Sequence, residues 1–180
     1  MNEIIVLPGI GGSGDAHWQT RWERGDSNMR RFAPASWVEP DLRDWIASLD
    51  RAIDASNGAP FLVAHSLSCL LVAHWRHTPV RRVAGAFLVA VPDPSSPHFP
   101  DEAAEFAPVP EEQLDFPSLI IASSDDPYAS LHYARQRATQ WGSGLVQLGA
   151  LGHINGASGL GPWQEGLNLL AAFMAGCRRV

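Results

Sequence analysis

The sequence contains no lysine: all 13 basic residues among its 180 are arginine. That absence excludes chemistries built on an ammonium group. A Walker-type phosphate loop, a pyridoxal Schiff base, a Ser–Lys dyad and a protein-kinase site all need one. A nucleophile or base must then be Ser, Cys, His, Asp, Glu or Tyr. Cysteine is scarce as well. Cys69 and Cys177 stand far apart with no CxxC spacing, which fits neither a disulfide-stapled secreted scaffold nor a zinc site. Long hydrophobic runs are missing too. The first apolar run, Ile4 to Leu7, is too short for a signal-peptide core, and no stretch approaches a membrane span. A cytoplasmic protein with no membrane partner is expected. The formal net charge of -6 argues against nucleic acid as a partner, since that requires a basic face.

What is present is a core. Apolar residues make up 46% of the chain and charged residues 18%, so a single domain over residues 1–180 is expected. The acidity is concentrated: Asp93, Asp101, Glu102, Glu105, Glu111, Glu112 and Asp115 follow one another with no arginine between them. They fall within Pro92–Pro117, a stretch of 26 residues with seven prolines. Residues 92–117 read as an irregular excursion between two strands, beside the mouth of the site. It is too short for a lipase-like helical lid, so an open site for small soluble substrates is expected, with the acids disfavouring strongly anionic ones.

Five apolar runs bounded by turn residues read as strands: Ile4–Leu7, Phe61–Val63, Val83–Val91, Leu119–Ala122 and Leu145–Leu148. They are continuous rather than alternating, as in strands buried on both faces. A sixth is expected near Trp37–Val38. Between them, helical spacing predicts helices from an Asp41 cap to about Ala55, over Ser66–His77 with Pro79 as a stop, over Tyr128–Trp141, and over Trp163–Cys177. Strand–helix alternation of this kind implies a three-layer α/β fold: a mostly parallel sheet of about six strands, helices on both faces, and ligands at the carboxyl ends of the strands.

The strongest local signal is Val63-Ala64-His65-Ser66-Leu67-Ser68, where an apolar strand meets an apolar helix. A nucleophile elbow exposes its serine at such a turn and needs small residues two before and two after it. Ala64 and Ser68 stand where glycines are usual, and both are small. The competing reading is that Ser66 merely caps the helix. A serine needs a base, and the base an orienting carboxylate. Leu119–Ala122 is followed by Ser124-Asp125-Asp126-Pro127, and Leu145–Leu148 by Gly152-His153, giving the order Ser, Asp, His at three strand ends. Spacing does not choose between Asp125 and Asp126, and Asp93 is a further candidate. His65 is expected to pack beneath the elbow. His74 and His77, three apart near a helix end, have no further ligand nearby, so no metal is expected.

The run Gly9-Ile10-Gly11-Gly12-Ser13-Gly14 after the first strand satisfies G-x-G-x-x-G, which raises a dinucleotide-binding oxidoreductase as an alternative. That fingerprint needs a helix opening within the glycines and an acid at the end of the second strand, and Glu39 lies too far on. The other use of such a turn is an oxyanion loop. Leu67 would supply one backbone N–H, and Ile10 or Gly11 the other, with His17 and Trp18 as candidate lining residues. A third alternative is a hydrolase-fold interaction protein whose triad is weak or vestigial.

The chain resembles the small bacterial serine hydrolases related to retinoblastoma-binding protein 9, a compact branch of the α/β-hydrolase fold. The resemblance runs through Leu7-Pro8-Gly9 and Ser13-Gly14-Asp15-Ala16-His17-Trp18-Gln19-Thr20-Arg21-Trp22-Glu23, Ala64-His65-Ser66-Leu67, Ser124-Asp125-Asp126-Pro127-Tyr128, Gly152-His153-Ile154-Asn155, and Gly159-Leu160-Gly161-Pro162-Trp163. It implies Ser66 as nucleophile, His153 as base and Asp126 as the acid, with Asp125 left beside the site. It also implies no cofactor and no metal. The function expected is hydrolysis of small carboxylic esters, or amides, through an acyl-enzyme.

Overall fold

Apolar runs with no polar side must be covered twice, and here helices cover both faces of a six-stranded sheet. The computed structural model describes residues 3–75 and 83–177. In chain order the elements are β1 (Ile4–Leu7), α1 (Trp18–Gly25), β2 (Met29–Arg31), α2 (Leu42–Asp54), β3 (Phe61–His65), α3 (Leu67–Trp75), β4 (Gly85–Val89), β5 (Ser118–Ala122), α4 (Leu131–Trp141), β6 (Gly144–Gln147) and α5 (Gln164–Cys177). Short 3₁₀ turns occupy Asp101–Phe106 and Gly156–Ser158. Every neighbouring pair of strands is parallel, in the order β2-β1-β3-β4-β5-β6.

Successive residues of a strand face opposite sides, so each run feeds two cores. Ile5, Leu7, Leu62, Ala64, Ala86 and Leu88 pack with Trp45 and Leu49 of α2, Leu70 and Leu71 of α3, and Trp141 of α4. Ile4, Val6, Phe61, Val63, Phe87 and Val89 pack on the other side with Trp18 and Trp22 of α1 and Leu170 of α5. The helices after β1 and β3 therefore leave to opposite faces. That parts the chain above the carboxyl ends of two adjacent strands, the crevice in which open α/β sheets bind ligands.

Helix α2 begins where Asp41 accepts the Asp44 N–H at 2.7 Å, and α4 ends at Gly142, whose φ of +66° suits glycine. The sixth strand is a correction: it is Met29–Arg31, not Trp37–Val38. Trp37 instead packs edge-on against Phe32 and Trp45 in an irregular segment, and Val38 is 65% exposed. β4 is trimmed to Gly85–Val89 relative to its apolar run, and β6 is shifted by one residue to Gly144–Gln147. Helix α1 carries no apolar stripe beyond Trp18 and Trp22, which lie one turn apart and bury together. The residues expected to extend α3 to His77 and stop it at Pro79 lie outside the described residues. Both cysteines are free. Among the described residues no helix is long and apolar enough to cross a membrane.

Candidate active site

Ser66 sits at the junction of β3 and α3 with φ +54°, in the left-handed region that a serine rarely adopts. A capping serine would be extended, with its Oγ on an N–H of the first helical turn. Here the Oγ instead lies 2.7 Å from His153 Nε2, and the capping reading fails. The sharp turn brings neighbours close. A Cβ on Gly9 would stand 2.9 Å from Ser66 Cβ, so only glycine fits there. Ser68 is fully buried and donates its hydroxyl to the Pro8 carbonyl at 2.6 Å. The serine that replaces the usual glycine thus ties α3 to the loop after β1.

On its other side, His153 Nδ1 lies 2.9 and 3.0 Å from the two oxygens of Asp126, so its N–H donates to that carboxylate. The imidazole and carboxylate are nearly buried, and Asp126 also accepts the Tyr128 N–H at 2.9 Å. Asp125 points elsewhere. It accepts the Ser123 hydroxyl at 2.8 Å and the Gly152 N–H at 2.7 Å, bonds that hold its carboxyl below the usual range. It joins the β5 and β6 loops and does not line the cavity. Asp93 is turned onto Ser95 at 2.7 Å.

The glycine loop is braced from below by buried polar groups. Gln19, with no exposed surface, donates to the Leu7 and Val63 carbonyls at 3.2 and 3.1 Å and accepts the Ser13 hydroxyl at 2.7 Å. Arg31 donates to the Gly12 carbonyl and to Thr20 Oγ1, and it pairs with Glu23. Gly11 gives its own N–H to the Trp37 carbonyl at 2.9 Å, which removes it as an oxyanion donor. Among the described residues, no protein acceptor faces the N–H of Ile10 or of Leu67. The glycines are not a dinucleotide fingerprint. The following helix opens only at Trp18, and β2 ends on Arg31 rather than an acid.

A cavity of ≈530 Å³ opens over Ser66, with Ile10, Gly11, Leu67, His17 and His65 on its walls. The excursion contributes Pro92, His98, Phe99 and Pro100. None of its seven acids lines the cavity, so the expected charge screen against anions is absent from the wall. Glu105 instead accepts the Leu42 N–H and Glu111 pairs with Arg137. Trp18 is also a correction. One residue past the His17 cap, it points into the core, and its indole N–H donates to the Ile154 carbonyl at 2.7 Å. Sequence reasoning missed the wall made by Tyr128, whose ring lies 4.3 Å from that of His153, and by His98, which belongs to no motif. His74 Nε2 lies 3.0 Å from the Phe106 carbonyl, while His77 lies outside the described residues.

Three imidazoles meet beneath the cavity, with His65 lying 4.7 Å from His17 and 5.0 Å from His153 between ring centres. Burial pushes His17 down to about 4, with Arg31 and His153 adding to the effect. Burial also holds His65 well below its ordinary value. Both are neutral at pH 7. His17 Nδ1 accepts the Gln19 N–H at 3.2 Å and caps α1, so its proton sits on Nε2.

The model of the serine hydrolase family matches residues 4–172. The chain is 32% identical to the YdeN-like hydrolase of Pectobacterium atrosepticum, covering 98% of this chain and 92% of that one with a TM-score of 0.87. It superposes on the ydeN gene product of B. subtilis at 19% identity, with a TM-score of 0.79 and coverage of 97% and 100%. A monoacylglycerol lipase from Paleococcus ferrophilus shares the fold at 11% identity, with a TM-score of 0.70 over 96% and 93% of the two chains. No curated protein matches the sequence.

Proposed function

The chain belongs to the serine hydrolase family, and from that premise we propose that it cleaves small carboxylic esters through a Ser66–His153–Asp126 triad and an acyl-enzyme. The observation that carries this reading is the continuous relay from Ser66 Oγ to His153 Nε2 at 2.7 Å and from Nδ1 to Asp126 at 2.9 Å.

In the first step Ser66 Oγ attacks the ester carbonyl carbon and its proton passes to His153 Nε2. Asp126 holds the tautomer that leaves Nε2 free to accept it, and stabilises the imidazolium that forms. The carbonyl oxygen becomes an oxyanion between the Leu67 and Ile10 N–H groups. Each such donor is worth about 3 kcal/mol in the transition state. His153 then returns the proton to the alcohol oxygen as the C–O bond breaks. In the second step water attacks the acyl-enzyme, gives a proton to His153, and Ser66 leaves with it. The reaction needs no cofactor.

The cavity of ≈530 Å³ falls within the roughly 300–1,000 Å³ of small-molecule sites. Ile10, Leu67, Phe99 and Pro100 make its walls largely apolar, which favours short uncharged acyl groups. The test is a panel of p-nitrophenyl esters of increasing chain length. Turnover by the wild type that falls at least ~10³-fold in Ser66→Ala is expected. Equal turnover by the two proteins would remove Ser66 from the chemistry.

A further inference from the structure

The loop that carries His153 is bent in a way its sequence does not favour. Gly152 has φ +56° and Ile154 has φ +46°. Glycine adopts that region freely, whereas a β-branched isoleucine does so only when its surroundings impose it. The side chain of Ile154 is fully buried in the same core as Trp18 and Trp163.

Two aromatic N–H groups grip the backbone at this bend. His65 Nε2 lies 2.9 Å from the His153 carbonyl, and since a carbonyl only accepts, the His65 proton sits on Nε2. The Trp18 indole N–H donates to the next carbonyl, that of Ile154, at 2.7 Å. Both donors are buried, at 4% and 1% exposure. Burial keeps His65 neutral, so the donor tautomer does not vary across the neutral pH range. His65 also precedes Ser66 in the chain. The strand end that presents the hydroxyl therefore holds the backbone of the imidazole facing it.

We propose that His65 and Trp18 are positioning residues: their ring N–H groups, anchored on the His153 and Ile154 carbonyls, hold the bend that aims the His153 imidazole at Ser66. The inference rests on the hydrolase reading for its catalytic consequence, but its geometric content stands apart and can be measured without substrate.

Three variants separate a positioning role from simple packing. His65→Leu removes the donor, His65→Gln keeps an N–H donor at that position, and Trp18→Phe keeps an aromatic ring but removes the indole N–H together with the volume of its second ring. Two readouts are taken on protein whose fold is checked by circular dichroism. One is the low-field proton resonance of the His153 Nδ1–H held by Asp126. The other is kcat and KM on the best p-nitrophenyl ester. His65→Leu is expected to lose the resonance and about 10²-fold in kcat, the cost of displacing a reacting group by about 1 Å, with KM nearly unchanged. Trp18→Phe is expected to broaden the resonance and lose about tenfold, and His65→Gln to recover the resonance and most of kcat. Folded His65→Leu and Trp18→Phe proteins that keep the resonance and stay within about threefold of wild-type kcat would overturn the proposal. Should His65→Leu not fold, Trp18→Phe and His65→Gln decide it by the same criteria. A wild type that turns over no ester removes the proposed function, while the resonance alone then decides the positioning role.

Discussion

The two halves of the site are held by different means. On the β1–β3 side, Ser66 and the glycine loop are set by close backbone approach between fully buried strands, locked by Gln19 and Ser68. On the β5–β6 side, Asp126 and His153 hang on loops, one of them after a half-exposed edge strand. Their geometry depends on single side-chain ties, namely Asp125 to Gly152, His65 to His153 and Trp18 to Ile154. Ser66 is placed by sterics, and His153 by a few hydrogen bonds sent from elsewhere. Damage on the first side should thus cost stability, with activity lost where the change meets Ser66, and damage on the second should cost activity alone.

The sharpest break of that contrast is between neighbouring aspartates. Asp126→Asn should lower kcat by about 10⁴-fold, because an amide favours the wrong imidazole tautomer. Asp125→Asn should lower it only about tenfold, since it loosens the loop without touching the imidazole. Steady-state ester hydrolysis compares them, and equal effects would merge their roles.

On the Ser66 side, Gly9→Ala would place a methyl 2.9 Å from Ser66 Cβ and 3.2 Å from the His65 carbonyl. A fall in kcat/KM of about 10²-fold is expected. Gly11→Ala meets no atom within 4 Å but must hold φ +82°. It should cost about 1–3 kcal/mol of stability in urea unfolding and leave kcat/KM nearly intact.

Gln19→Leu strands the Leu7 and Val63 carbonyls and the Ser13 hydroxyl in a buried site. About 2–3 kcal/mol of stability should be lost, read as a lower urea midpoint at unchanged slope.

The smallest effect is set by pH. His17 titrates at about 4 in the fold against an ordinary 6.5. The unfolded chain therefore binds the extra proton first, and stability present above pH 6.5 is lost as pH falls toward 4. Between pH 7 and pH 5 this one group removes about 2 kcal/mol. His17→Asn keeps a good helix cap and should flatten that part of the urea-stability profile. An unchanged profile would mean His17 does not carry it.

The same contrast governs what was legible in the chain. Strands β1, β3, β4 and β5 announce themselves because burial on both faces forces unbroken apolar runs. β2 does not, since two of its three residues are arginines, Arg31 being spent on the Gly12 carbonyl and Glu23. Helix α1 is hidden for a like reason, its packing resting on two tryptophans amid polar residues. Ser66, the aspartate pair and His153 stand at strand ends in a recognisable order. The choice of Asp126 over Asp125 came from family resemblance, and only the fold shows which carboxylate faces the imidazole. Gln19 and Tyr128 stand inside the resembling motifs, but no spacing assigns them a role, and His98 carries no pattern at all, because the contacts that matter for each lie far away in sequence.

The central claim is that Ser66 is made nucleophilic by His153. It is tested most directly by treating the protein with a fluorophosphonate at pH 7.5 and mapping the adduct by peptide mass spectrometry. A single adduct on the Ser66 peptide, formed at least ~10³-fold more slowly in His153→Ala, is the result predicted. No adduct on folded wild-type protein, or one formed equally fast without His153, would contradict it.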